Sequence, residues 1–412
     1  MISRCLILLY LTLPLRAEVE AWEMAPVNYS DATATDRLSH LAEKWSKDPA
    51  SLSGSTPLER VRAILAELKV PEASQILVFS KTSKQNDLIT PANPRALYFS
   101  SNCYCAYVPG GVMEIAIQDP QLGPVFYTID LGNSERPPRV ERNTSECLTC
   151  HGTRRTENVP GLFVRSVYPD QDGRPLLALG SQTVDHQTPV SQRWGGYYVT
   201  GSISQPHLGN RTYSDGPSAQ PQRFTWNDLR GKIDTNKYPR ATSDVAALMV
   251  LEHQCRAHNL ITAASMNYRR AAYLGKQINP GSDPDHGSAG RVADSAAAEI
   301  VEWFLFNGEA NQGEDGVEGD ADFQQRFEAN IPHTKEGESL ADFQLNGRLF
   351  KNRCSYMIYS EAFRALPAAV KSRVIAGLRT VLHAPNSDDA YPEIQLPERR
   401  KIAKILTETG VW

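Results

Sequence analysis

Tyr104-Cys105-Ala106-Tyr107-Val108-Pro109-Gly110-Gly111-Val112-Met113-Glu114-Ile115-Ala116-Ile117 consists of two β-rich runs joined by Pro109-Gly110-Gly111. Proline fixes φ and removes an N–H, and glycine tolerates positive φ. The tripeptide is therefore a hairpin turn signal, and the runs beside it predict two antiparallel strands. Similar short runs recur on both sides, at 76–79, 96–99, 125–129, 162–167, 176–179 and 197–200. Asp170-Gln171-Asp172-Gly173 supplies a turn between the run at 162–167 and that at 176–179. A sheet-rich domain is expected over 73–203.

Helical spacing appears before and after this region. Within 18–72, Leu38, Leu41 and Trp45 recur at helical intervals, and Thr56-Pro57-Leu58-Glu59 has the form of a capping box opening a second helix. Residues 204–240 are rich in Gly, Pro, Ser and Asn and predict a loop-rich connector. From 241 to 412 the pattern is helical. One helix is capped by Thr242 or Ser243 and runs to about 277, and others cover 291–306, 368–382 and 397–409. The stretch 308–322 carries Glu309, Glu314, Asp315, Glu318, Asp320 and Asp322 and predicts a solvated acidic loop, since it does not fit a calcium-loop register. The expected fold class is α+β: an antiparallel, sheet-rich domain with N-terminal helices and a C-terminal helical region.

Between the strands lies Cys147-Leu148-Thr149-Cys150-His151. Cys-x-x-Cys-His is the spacing that attaches a c-type haem: two thiols form thioethers with the porphyrin and the adjacent imidazole ligates iron. A redox dithiol, a disulfide and half a zinc site share the Cys-x-x-Cys core. The residues after His151 predict a loop rather than the helix a thioredoxin-like dithiol opens, and no second Cys-x-x-Cys or His-x3-His follows for zinc. The expected cofactor is one covalent haem c held by Cys147, Cys150 and His151, with the motif in a loop between strands.

Residues 1–17 place Arg4 ahead of a short apolar run that ends at Leu15, with Ala17 before the predicted cut. This is the pattern of a signal peptide, too short to span a bilayer, and it predicts a periplasmic or otherwise exported protein with no transmembrane segment after its removal. Export agrees with haem attachment by this motif. The net charge of −4 becomes more negative once Arg4 and Arg16 are lost, which argues against nucleic acid as a partner. Outside the signal and the motif the cysteines are Cys103, Cys105, Cys255 and Cys354. Cys103 and Cys105 share a strand face, so a bridge between them would be strained; Cys255 with Cys354 is the pairing expected first.

The sixth ligand decides whether the iron is closed or open to small molecules. His207, His253 and His258 are the distal candidates, with His186, Met249, Met266 and Met357 behind them. A five-residue offset turns His253 and His258 about 140° apart on a helix, so one iron would not take both. Arg154, Arg155 and Arg165 are candidates for the haem carboxylates, Trp194 and Tyr197 for the pocket wall, and Glu252 with His253 for an acid-base couple.

Several phrases besides the motif carry a family resemblance: Val78-Phe79-Ser80-Lys81-Thr82-Ser83, Pro94-Arg95-Ala96-Leu97-Tyr98-Phe99, Val164-Arg165-Ser166-Val167-Tyr168-Pro169, Arg193-Trp194-Gly195-Gly196-Tyr197-Tyr198-Val199-Thr200-Gly201 and Cys354-Ser355-Tyr356-Met357-Ile358-Tyr359-Ser360. Together they resemble a group of exported, functionally uncharacterised proteins of planctomycete-like bacteria that carry a single cytochrome-c-type haem motif. The resemblance covers most of the exported chain and implies a secreted haem protein without a known reaction. The strand pattern differs from the small all-helical cytochrome c and looks more like a PAS-type or Cache-type sheet. Electron transfer with an unidentified redox partner protein is the first functional expectation. A peroxidase-like oxidoreductase and a haem-based gas or redox sensor are the rivals.

Overall fold

The hairpin signal at Pro109-Gly110-Gly111 forms as expected, with Gly110 at φ +92°. It joins β3 (Cys103–Tyr107) to β4 (Met113–Asp119), pairing Cys105 with Ile115 and Tyr107 with Met113. In this computed structural model, residues 19–412 are described apart from 49–50, 134–135, 215–219, 282 and 386–389; the signal segment expected at 1–17 lies outside the described residues. Around the hairpin the chain lays down β1 (Ile76–Val78), β2 (Arg95–Phe99), β5 (Gly123–Asp130) and β6 (Arg139–Arg142) as neighbours in sequence order. After the pair β7 (Val164–Val167) and β8 (Ser181–Val184), β9 (Tyr197–Tyr198) returns to the far side of β1. The result is a seven-stranded antiparallel sheet in the order β6-β5-β4-β3-β2-β1-β9. The run at 176–179 differs from expectation. It holds a single 3-10 turn at Leu177–Leu179, because Leu177 is exposed and no apolar face there needs a sheet.

β3 is buried at all five positions, so both faces of the sheet are covered. On one face pack α1 (Arg37–Lys47) and α2 (Pro57–Glu67). The α1 cap is Asp36, whose Oδ1 accepts from the N–H groups of Leu38 and Ser39 while its Oδ2 accepts from the Tyr127 hydroxyl at 2.6 Å. One carboxylate therefore both starts the helix and ties it to β5. The Thr56–Glu59 capping box is present in full.

The opposite face meets α4 (Val245–Ile278), a helix of 34 residues. Its cap is Asp244 rather than Thr242 or Ser243: the Asp244 side chain accepts from Ala247 N, while the Ser243 hydroxyl accepts from Leu77 N and donates to Tyr198 O. Ser243 serves the sheet, leaving Asp244 to the helix. From 245 to 255 every residue of α4 is buried, including Glu252, His253 and Gln254. Burying these groups requires partners. Arg193 Nη1 donates to Glu252 Oε2 at 2.8 Å and Trp194 Nε1 donates to Oε1 at 2.7 Å.

The C-terminal region adds α5 (Ser288–Phe304), α6 (Ala321–Ala329), the single turn α7 (Glu361–Arg364), α8 (Ala368–Leu382) and α9 (Leu396–Glu408). α5 packs along α4, and α8 packs on α5. The segment 204–240 joins this body, because β10 (Gly201–Ile203) pairs with both β11 (Thr225–Trp226) and β12 (Val317–Glu318). A last hairpin joins β13 (Phe343–Asn346) and β14 (Arg348–Phe350). One hydrophobic cluster runs from Trp22 to Leu406, so sheet and helices share a core. The acidic stretch is more engaged than expected: Glu309 accepts from Leu349 N, and Asp320 and Asp322 both bind Arg240.

Replacing Glu252 by Leu leaves Arg193 charged and buried without its partner, and should destabilise the fold by about 3–5 kcal/mol in urea denaturation. A loss below about 1 kcal/mol would show that the pair contributes nothing the apolar side chain cannot replace.

Candidate functional site

Cys147, Cys150 and His151 stand on one turn of helix, α3 (Leu148–His151), where a loop was expected. Four residues are too few for a periodic signal, and the turn is set by backbone bonds: Cys150 N and His151 N both donate to Cys147 O, at 3.2 and 3.0 Å, and Cys147 N donates to Asn143 Oδ1 at 2.9 Å. In a helical turn, positions i, i+3 and i+4 share a face. All three side chains accordingly line one cleft of about 170 Å³ that opens to solvent.

The His151 ring is held by a reciprocal pair of hydrogen bonds. Its Nδ1 lies 2.9 Å from Gly161 O, and Gly161 N donates to His151 O at 2.8 Å. A carbonyl only accepts, so Nδ1 carries the proton and Nε2 keeps its lone pair. Burial pushes the imidazole pKa down, which keeps the ring neutral near pH 7. Phe126 and Phe163 flank it, with ring centroids at 5.2 and 5.3 Å.

The loop from 151 to 161 is braced from two sides. The Thr156 hydroxyl sits among the carbonyls of His151, Thr153 and Val159. From α4, Asn259 clamps the next residue: Leu162 N donates to Asn259 Oδ1 at 2.8 Å and Asn259 Nδ2 donates to Leu162 O at 2.6 Å. The fit leaves no room at Gly161, where a Cβ would stand 2.4 Å from Asn259 Oδ1.

Strand register builds the floor of the cleft. Leu97, Ala106 and Glu114 form one cross-strand row, and Tyr104, Ala116 and Phe126 form the next. Arg95 shares their face through the period of two. Leu251 and Cys255 of α4, with Leu162, Phe163, Val164 and Tyr197, complete a mostly apolar wall. Polar groups gather on one side: Arg95 pairs loosely with Glu114, Ser83 donates to Glu114, and Lys84 pairs with Glu146. Burial, with Glu114 nearby, pushes the Cys147 thiol up to about 11, so it stays protonated, unlike the acidic thiol of a redox dithiol. Cys147 and Cys150 are unbridged, and among the described residues no group of three or more His, Cys, Asp or Glu could hold a metal ion.

The distal candidates are placed elsewhere. His207 is fully buried between Trp194 and Phe224, its Nδ1 accepting from Gly209 N at 3.0 Å. His253 bonds His186 through Nδ1 at 2.8 Å and Ser355 Oγ through Nε2 at 2.6 Å. Both its nitrogens are engaged, and Glu252 beside it serves Arg193. His258 comes nearest: its Nδ1 lies 2.7 Å from the hydroxyl of Tyr104, whose ring lines the cleft. Gln254 fixes the direction of that bond. Gln254 Oε1 accepts from Tyr356, and its Nε2 donates to Ser100 O and to the Tyr104 oxygen, so the Tyr104 hydrogen goes to His258. None of His186, His207, His253 and His258 lines the cleft, nor do Met249, Met266 and Met357; among the described lining residues His151 is the one imidazole.

The carboxylate candidates also move. Arg155 lies over Phe163 and Arg165 donates to Ser181 Oγ, and with Arg154 they stay outside the lining. Arg95 and Lys84 line the cleft instead. Arg95 was detectable from its alternation with Leu97 and Phe99, which puts all three on one strand face. Tyr197 walls the cleft as expected, whereas Trp194 turns to Glu252. Cys255 and Cys354 are both buried and unbridged, so the expected pairing is absent; Cys103 and Cys105 face each other at 3.8 Å, also unbridged. Among the described residues no helix is long and apolar enough to cross a membrane.

No protein-family model matches the chain, and neither does any curated protein or solved structure.

Asn259→Leu removes both bonds to the part-buried Leu162 backbone, so it should cost about 1–3 kcal/mol in urea denaturation. The His151 imidazole resonances should shift with it in NMR; an unmoved His151 would uncouple α4 from the motif. His207→Asn places an amide oxygen where Nδ1 accepts and removes the titration. Burial holds His207 at about 4 in the fold, below its unfolded value, so the folded state binds fewer protons between those limits. Its contribution is complete above about pH 6.5, and about 3 kcal/mol is lost as pH falls through 4. Stability measured for both proteins at pH 7.5 and 4 should show wild type losing that much relative to the variant, and a constant difference would contradict it.

Proposed function

We propose that this chain is an exported c-type cytochrome carrying one covalent haem on Cys147 and Cys150, with His151 as proximal ligand, and that its iron meets a small exogenous ligand. The observation that carries this reading is the His151–Gly161 bond, which engages Nδ1 and leaves the Nε2 lone pair for iron beside two thiols on the same helical turn. The donor set fits the group: protonated thiols suit thioether formation, a neutral imidazole suits ligation, and the apolar wall suits the macrocycle. When bound, haem supplies one-electron redox chemistry and a coordination site for peroxide, oxygen, carbon monoxide or nitric oxide. The chain's own residues orient His151, exclude water with Phe126, Phe163 and Leu251, and set charge at the Arg95–Glu114 side.

The peroxidase-like and gas-sensing alternatives gain support from the cleft lining, which among the described residues offers no second imidazole or thioether. Burial keeps the Cys255 thiol and the Tyr104 and Tyr197 hydroxyls protonated, which makes them weak ligands. In this reading the meander is a PAS-like or Cache-like platform with haem against one face. Electron transfer to a periplasmic redox partner is the second reading, favoured by the exposed Cys150, which would bring a haem edge to the surface.

Expression with a haem-attachment system should yield covalent haem in the wild type and none in Cys147→Ala with Cys150→Ala; equal haem in both would defeat the assignment. The reduced protein should bind carbon monoxide with a shifted Soret band. A low-spin spectrum indifferent to the gas would instead select the electron carrier.

A further inference from the structure

Arg95 is the least satisfied charged group in the cleft. A guanidinium has five N–H donors in a planar fork, suited to two parallel bonds to a carboxylate. Here its ion-pair partner is Glu114, whose Oε2 stands 3.5 Å from Nε, longer than a charge-assisted hydrogen bond. Arg95 Nε is buried with no hydrogen-bond partner. Glu114 is itself engaged by the Ser83 hydroxyl, at 3.1 and 3.3 Å to its two oxygens. A buried donor left this way calls for an acceptor. The carboxylates lining the cleft near it are already engaged, Glu114 by Ser83 and Glu146 by Lys84, and on the same sheet face Leu97 and Ala106 offer no side-chain acceptor.

We propose that Arg95 is an anion-binding group of this cleft and takes a carboxylate-sized anion through its guanidinium fork. Two sources share that chemistry. One is a side-chain carboxylate of the macrocycle itself, which rests on the haem reading above. The other is a free small carboxylate entering the same cleft. Arg95, Cys147 and His151 line the same cleft, so an anion seated there faces the turn that carries the two thiols.

The test uses full-length exported protein, wild type, R95Q and R95K, with formate as the free-anion probe. Covalent haem content, measured first, checks the haem reading independently. If the macrocycle is the source, R95Q should keep its haem, shift the propionate bands of the resonance Raman spectrum, and leave formate binding absent as in wild type. If a free anion is the source, formate should bind wild type with R95Q at least about tenfold weaker, as loss of a charged hydrogen bond implies, and the propionate bands should not move. R95K keeps the charge without the fork and should fall between the two in whichever arm responds. Loaded R95Q that matches wild type in both readouts overturns the proposal. If no variant holds haem, the haem reading fails by itself, and formate titration of the unloaded chains decides the proposal by the same tenfold criterion. Should R95Q not fold, R95K against wild type carries the comparison, and identical behaviour overturns it.

Discussion

Everything around the motif depends on one reciprocal contact, the pair of bonds between His151 and Gly161. The ring nitrogen donates one way and the Gly161 N–H donates the other, closing a loop of ten residues on itself. The contact sets the tautomer, and the tautomer sets which nitrogen faces the cleft. It would be soft if the loop were free to move. Asn259 prevents that by satisfying the Leu162 backbone from α4, and the close approach at Gly161 excludes any larger residue. The turn that carries Cys147, Cys150 and His151 is therefore braced by Asn259, 97 positions beyond the Leu162 it clamps, through the backbone rather than through side-chain packing on the motif.

The same helix accounts for the polar groups deep in the protein. α4 carries Glu252, His253, Gln254, His258 and Asn259 through the core, each with at least one specific partner. Such groups are costly when unpaired and directional when paired, so they define how α4 sits against the sheet in a way that Leu and Ala could not. Tyr104 shows the outcome: its ring forms part of the cleft floor while its hydroxyl is committed to His258 and Gln254 behind it. His253 and His258, two of the three distal candidates, are held in this network by Ser355 and Tyr104.

Local signals were legible where local physics decides. The hairpin at Gly110, the capping box at Thr56 and Glu59, and the helix at Ala368–Leu382 follow from turn chemistry and periodicity, and the α+β class with antiparallel sheets and helices at both ends follows from them. The short β10 and β12 strands were not legible, because two or three residues hold no period and their pairing is decided by distant partners. The same reason hid the role of Asn259 and the placement of His207 and His253. Composition identifies a histidine, but only the packing of α4 against 186, 303 and 355 determines which neighbour its nitrogens meet. The arginines nearest the motif in sequence lie outside the cleft lining, whereas a strand face puts Arg95 within it.

At the free end of the meander, β6 presents the exposed Arg139 and Glu141 along a margin that meets no further strand among the described residues, while Arg142 turns in to the carbonyls of Tyr29 and Ala32. Charged side chains on a sheet margin repel a second copy that would otherwise extend the ladder. The other margin ends in a strand of two residues, too short to template much pairing. A seven-stranded sheet would be an aggregation hazard if its borders were long and apolar; here one border is a charged strand and the other a strand of two residues.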